Sequence, residues 1–246
     1  MVLFYGMDFK SGSRKLVVED RLNFDIYHGT SSYFLNSIKK NGFGYKDPKL
    51  FDRNLLMKLR NEVERYLDRE LIIKIRSGVI KEKNVDKKTL DFHFNCEHLI
   101  YIVNKMIDNS GRFSYDNMHF SVSPFTAEKY AKDGSEYLNT FRLLVNMLNK
   151  VDKGKGDESI KNNQQLINYF KTPHEPMLVI WKNPLLSDLG TEYGLSLEDV
   201  KNLLKKMTKI SIFPTFEENL IVLQQCIFLS KKILPYKEIN LKMLQN

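Results

Sequence analysis

Cysteine is scarce: Cys96 and Cys226 are the two in a chain of 246 residues, and both sit in apolar surroundings. Two such residues build no disulfide framework, which excludes a small cross-linked scaffold and fits a reducing compartment. No segment approaches the roughly 18 consecutive apolar residues of a membrane span, so no membrane role is expected. Residues 1–8 lack the basic n-region and long apolar h-region of a signal peptide. The expected location is the cytoplasm, or a host cytosol reached by a non-classical export route. Also missing are a glycine-rich phosphate loop, a serine nucleophile elbow, internal repeats and low-complexity tracts. Positive charge, by contrast, is abundant. Lys and Arg number 38 against 30 Asp and Glu, giving a formal charge of +8. That balance favours polyanionic partners, and it is equally what a Lys-rich soluble chain shows. With 42% hydrophobic and 12% aromatic residues the chain can build a full core.

Periodicity divides the chain. A strand is expected at 15–18 and another at 24–28. Ser31 and Ser32 then offer N-caps, Phe34, Leu35 and Ile38 follow at helical spacing, and Gly42 supplies a stop. Leu55, Leu56, Leu59, Val63 and Leu67 form an amphipathic helical pattern, as do Leu99, Ile100, Ile102, Val103, Met106 and Ile107. Residues 81–88 make a Lys-rich connector between them. A strand is expected at 117–122, then a helix opened by Ser123-Pro124 and running through Tyr130, with more helix at 141–151. Residues 152–163 read as an exposed loop and 177–181 as a buried strand. Ser196-Leu197-Glu198-Asp199 resembles a capping box. Late strands are expected at 210–213, 220–223 and 226–229.

Three segments place polar side chains on or beside strand-like runs. Asp25-Ile26-Tyr27-His28-Gly29-Thr30 puts an imidazole next to bare backbone. An imidazole can hydrogen-bond a ribose hydroxyl, and glycine lets N–H and C=O approach an amide. The same tripeptide also suits an ordinary strand-to-helix turn. In the second segment, Met118-His119-Phe120-Ser121-Val122-Ser123 leads to Ala127 and Tyr130. Its two rings could sandwich a planar heterocycle, or belong to a strand packed on its own helix. The third segment is Leu220-Ile221-Val222-Leu223-Gln224-Gln225, continuing through Cys226, Ile227 and Phe228. His93, Cys96 and His98 cluster as well, but on different faces of one helix and without a fourth ligand, so no metal site is expected.

Tyr27-His28-Gly29-Thr30 with Leu35, Ile38 and Asn41-Gly42-Phe43 resembles the histidine motif of the ADP-ribosyltransferase superfamily, of the diphtheria-toxin and poly(ADP-ribose) polymerase type. It is also similar to the corresponding motif of tRNA 2′-phosphotransferases. His119 to Tyr130 resembles the second motif. Gln224-Gln225 with Phe228, followed by Ile233-Leu234-Pro235, falls where the third motif carries its glutamate, and it is similar to the end of FRG domains, whose opening Phe-Arg-Gly is absent. The triad is therefore a variant, His28, His119 and Gln225.

The resemblance implies an α+β fold with a split antiparallel sheet core, as one domain over 1–246 carrying a helical insertion at about 45–115. It implies NAD as substrate and a protein or nucleic-acid acceptor, with a neutralising partner protein if the chain is toxic. Catalysis falls to His28, His119 and Gln225, and NAD binding to Tyr27, His28, Gly29, Thr30, His119, Ser121 and Tyr130. In these roles His28 binds a ribose hydroxyl and Gly29 clamps the nicotinamide carboxamide. His119 and Tyr130 flank the nicotinamide ring. Gln225 takes the place of a glutamate, and an amide cannot accept a proton as a general base at neutral pH. Glu217 and Glu218 are the nearby carboxylates.

Overall fold

The computed structural model describes residues 17–108, 118–133, 136–191, 228–230 and 232–244, with single positions at 196, 198–199 and 202. Two compact units share the chain. One gathers residues 1–45, 116–135 and 173–246, and the other residues 46–115 and 136–172. The helical unit thus takes in a second segment beyond the 45–115 stretch singled out in the sequence.

The first unit is built on small antiparallel sheets. A two-residue hairpin pairs β1 (Val17–Val18) with β2 (Arg21–Leu22). A three-stranded sheet runs in the order β3 (Ile26–Ser31), β5 (Pro176–Trp181), β8 (Ile239–Met243). A second runs β4 (Met118–Phe120), β7 (Phe228–Ser230), β6 (Gly190–Thr191). All their pairings are antiparallel. Between the sheets lies an apolar core that includes Ile26, Phe43, Phe120, Val179, Trp181 and Phe228. The period-2 alternation of strands explains it: Ile26, His28 and Thr30 share one face of β3, and Tyr27, Gly29 and Ser31 the other.

After β3 the chain behaves as its sequence demands. The Ser31 hydroxyl accepts from the Tyr33 N–H at 3.1 Å, opening a 3-10 turn that runs into α1 (Leu35–Asn41). Gly42, at φ +90°, ends it. A side chain there would meet the Leu234 carbonyl at 2.8 Å, because Phe43 and Leu234 exchange backbone hydrogen bonds. Helix α5 (Pro124–Asp133) starts at proline, with Ser123 Oγ accepting from the Thr126 N–H at 3.4 Å. At 196–199 the reciprocal bonds of a capping box are present, Asp199 N–H to Ser196 Oγ at 3.0 Å and Ser196 N–H to Asp199 Oδ2 at 3.1 Å.

The second unit is helical: α2 (Arg53–Glu64), α3 (Arg69–Arg76), α4 (Lys87–Ile107), α6 (Glu136–Val151), α7 (Lys155–Ile160) and α8 (Gln164–Lys171). Asp52, Asp68 and Asp86 each cap a helix by accepting from the backbone N–H three residues on, at 2.9 to 3.0 Å. Helix α2 packs on α4 and α6, and Leu56, Leu59 and Val63 of α2, Cys96, Leu99 and Val103 of α4, and Leu144 and Leu148 of α6 are all buried. Residues 152–163 are not the exposed loop expected of them. Asn149 Oδ1 accepts the Gly156 N–H at 2.8 Å, and Gly156 and Ile160 are buried, so tertiary capping makes α7 from a polar, glycine-containing stretch. The expected strands at 210–213 and 220–223, and residues 226–227 of the last one, lie outside the described residues.

Candidate functional site

The first and second sequence motifs meet edge to edge. Tyr27 and Ser121 exchange two backbone hydrogen bonds, Tyr27 N–H to Ser121 O at 2.8 Å and Ser121 N–H to Tyr27 O at 2.7 Å. This antiparallel register would next set Gly29 opposite His119. The ladder stops instead. The imidazole of His28 reaches across, and its Nδ1 lies 2.7 Å from the His119 carbonyl. A carbonyl only accepts, so the Nδ1–H tautomer is assigned from this bond. A side chain has taken the place of a backbone donor, and the two sheets part at this point.

Two consequences follow for polar groups. Tyr27 directs its N–H and C=O at β4, so strand alternation puts those of Gly29 on the same edge, away from β5. Neither makes a hydrogen bond to a described residue outside the sheet ladder. An N–H and a C=O side by side match the two halves of a primary amide. The second consequence is at His28 Nε2, which carries the ring's lone pair and makes no hydrogen bond to a described residue. It can accept from a hydroxyl.

The His28 ring is held in an aromatic cage. Phe43 stands edge-on at 4.8 Å between centroids and Phe120 at 5.8 Å, with Trp181 5.3 Å beyond Phe120. Burial lowers the imidazole pKa to about 4, outweighing the upward pull of the His119 carbonyl. His28 is therefore neutral at physiological pH, with one nitrogen committed to donating and the other to accepting.

Gly29 has a second duty on its other side. A Cβ there would lie 2.1 Å from the Ala127 carbonyl oxygen and 2.4 Å from the Ala131 nitrogen. Strand β3 thus rests on the backbone of α5, and this contact requires small residues on both partners: Gly29 on the strand, Ala127 and Ala131 on the helix. Both alanines are buried. Tyr130 belongs to the same helix and is 51% exposed.

The remaining expected residues fall as follows. Tyr27 is buried against Ala127 and Leu178, so its ring is part of the strand–helix packing and its backbone forms the bridge. Thr30 and Ser121 are buried, and Ser121 Oγ accepts the Ser123 N–H at 3.0 Å in the turn before α5. His119 is half-buried on β4, opposite Leu229 of β7. The third motif is described only from Phe228 onward, where β7 pairs with β4. Gln224, Gln225, Glu217 and Glu218 lie outside the described residues. Phe43 and Ala131 carry parts of the site that the motifs alone did not assign. The signal for Ala131 was its spacing of four from Ala127, and for Phe43 its place directly after the helix-ending glycine.

Two other histidines are engaged elsewhere. His93 Nδ1 accepts the Asp68 N–H at 3.3 Å, and His174 packs edge-on against Tyr33 at 6.0 Å. Burial raises the Cys96 thiol pKa to about 11. Among the described residues no helix is long and apolar enough to cross a membrane. No protein-family model, curated protein or solved structure matches the chain.

Proposed function

We propose that the chain is an NAD-dependent mono-ADP-ribosyltransferase, toxin- or effector-like in the bacterial or phage manner, acting on a protein or nucleic-acid acceptor. The observation that supports it most is the parting of β3 and β4, where His28 replaces Gly29 as donor to His119. That leaves an amide-matching backbone edge and a neutral imidazole acceptor side by side. In this reading Gly29 pairs with the carboxamide of nicotinamide and His28 Nε2 accepts from a ribose hydroxyl. His119 and Tyr130 flank the nicotinamide ring.

The reaction is a substitution at the anomeric carbon. The bond between ribose C1′ and the nicotinamide nitrogen breaks, and nicotinamide leaves with the electron pair. A bond from the acceptor nucleophile to C1′ forms, and the acceptor's proton passes to solvent or a carboxylate. The protein contributes orientation and stabilises the oxocarbenium-like transition state. With glutamine at 225 the third motif contributes a hydrogen bond and no general base.

That glutamine also favours a second reading, a nucleotide-binding interaction module with the same fold and no turnover. A third, hydrolysis of NAD with water as acceptor, is separated by product analysis. The deciding experiment is nicotinamide release from NAD, with and without cell lysate and total RNA, alongside His28→Ala. Release that depends on His28 is the expected result. NAD binding without release in any condition would move the assignment to the module.

A further inference from the structure

We infer that the solvent face of α5 is a docking platform for the acceptor, and that the acceptor is a single-stranded nucleic acid. This rests on the transferase reading and names its substrate class. Helix α5 is clamped to β3 through Ala127 and Ala131, which fixes the face it turns outward. At 100° per residue, Phe125, Lys129 and Lys132 lie on the side opposite those alanines. Phe125 is 76% exposed, the most exposed large hydrophobic residue among those described. Both lysines are exposed, and neither has an ion-pair partner among the described residues. Glu128 sits on the flank, half-buried.

An exposed aromatic ring followed by two exposed cations, about 6 Å and about 10.5 Å along the axis, fits a stacked base with its neighbouring phosphates. Stacking needs an unpaired base, which selects a single strand over a duplex. An acidic peptide would satisfy the lysines but leave Phe125 in water. The overall charge of +8 favours the same polyanion. The platform belongs to the helix that packs on Gly29, on the face turned away from that strand.

The test is fluorescence anisotropy of labelled dT and rU 15-mers with the full chain, across a salt series and without NAD. Phe125→Ala is expected to weaken binding about tenfold. Lys129→Gln with Lys132→Gln is expected to flatten the slope of log affinity against log salt by about 1.4. All three side chains are exposed, so these variants should fold. Lys81→Gln with Lys83→Gln in the helical unit serves as a charge control. Equal losses in that control, or a poly-glutamate peptide competing as well as the oligonucleotides, would overturn the proposal. So would binding that survives the α5 variants. Preference between dT and rU identifies the acceptor's sugar. His28→Ala should keep oligonucleotide affinity while losing nicotinamide release. Oligonucleotide binding through α5 with no release from the wild type would sink the transferase reading alone.

Discussion

Replacing Gly29 with alanine puts one methyl group where the backbone of α5 already stands. The Cβ would be 2.1 Å from the Ala127 oxygen, against an ordinary carbon–oxygen contact of roughly 3.3 Å. The helix must move out by about 1 Å, since the obstacles are main-chain atoms with no rotamer to change. A gap of that size forfeits a quarter to a half of the dispersion attraction along the contact. Tyr27, Ala127, Ala131 and Leu178 are all buried there. Overpacking of this kind costs about 3 kcal/mol, offset by less than about 1 kcal/mol from the stiffer unfolded chain. The net loss of about 2–3 kcal/mol lowers the melting temperature by roughly 5–10 °C. Hydrogen exchange locates the damage: peptides covering 26–31 and 124–132 should lose protection, and those of α4 and α6 should not. Ala127→Gly should not rescue the variant, because the clash is with a carbonyl. At Gly78 an added Cβ meets nothing within 4 Å, so Gly78→Ala should cost only its left-handed backbone, about 1–2 kcal/mol. A Gly29→Ala protein that melts within a degree of wild type, with unchanged exchange in β3 and α5, would refute this packing.

His28 ties stability to pH. Its pKa falls from 6.5 to about 4 in the folded chain, so the unfolded chain binds the proton first as pH drops. Its contribution is complete above pH 6.5 and is lost between 6.5 and about 4, up to roughly 3 kcal/mol in all; urea melts of His28→Asn should show a flatter profile in that window. Turnover in the His28→Ala variant should be abolished, and undiminished nicotinamide release would end its assignment to the site. Gln225→Ala should reduce activity more than Gln224→Ala, and the reverse order would shift the strand register by one. Asn149→Ala should remove the acceptor for the buried Gly156 N–H and cost about 1–2 kcal/mol, visible as lost exchange protection over 155–160.

The first motif was legible because its signals are local. Ser31 as cap, Ile38 as buried helical residue and Gly42 as stop are each read from one or two neighbours, and each stands where expected. Proline at the start of α5 and the β5 run behave likewise, though β3 extends past the expected end at His28 to Ser31. Two features escaped for a common reason. Helix α7 depends on Asn149, seven residues before the glycine it caps. The Gly29 contact depends on α5, about a hundred residues away, so the sequence suggested a ligand-approach glycine and not a helix seat. The hydrogen bond from the His28 ring to the His119 carbonyl was not expected from the sequence. No spacing rule links residues 91 apart, and the hydrogen bond that joins them is a property of the split ladder.

The order in which the sheet acquires its strands shapes the making of the protein. When a nascent chain has grown through residue 172, every segment of the helical unit has been synthesised, but the three-stranded sheet has only β3. Strand β5 arrives next, and β8, at 239–243, joins it last among the described elements. The edge of β3 that bears His28 and Gly29 is thus laid down early and braced late. Until β5 is made, nothing supports the far side of that strand. A chain cut before β8 would carry the motif residues of β3 without the complete sheet that braces them.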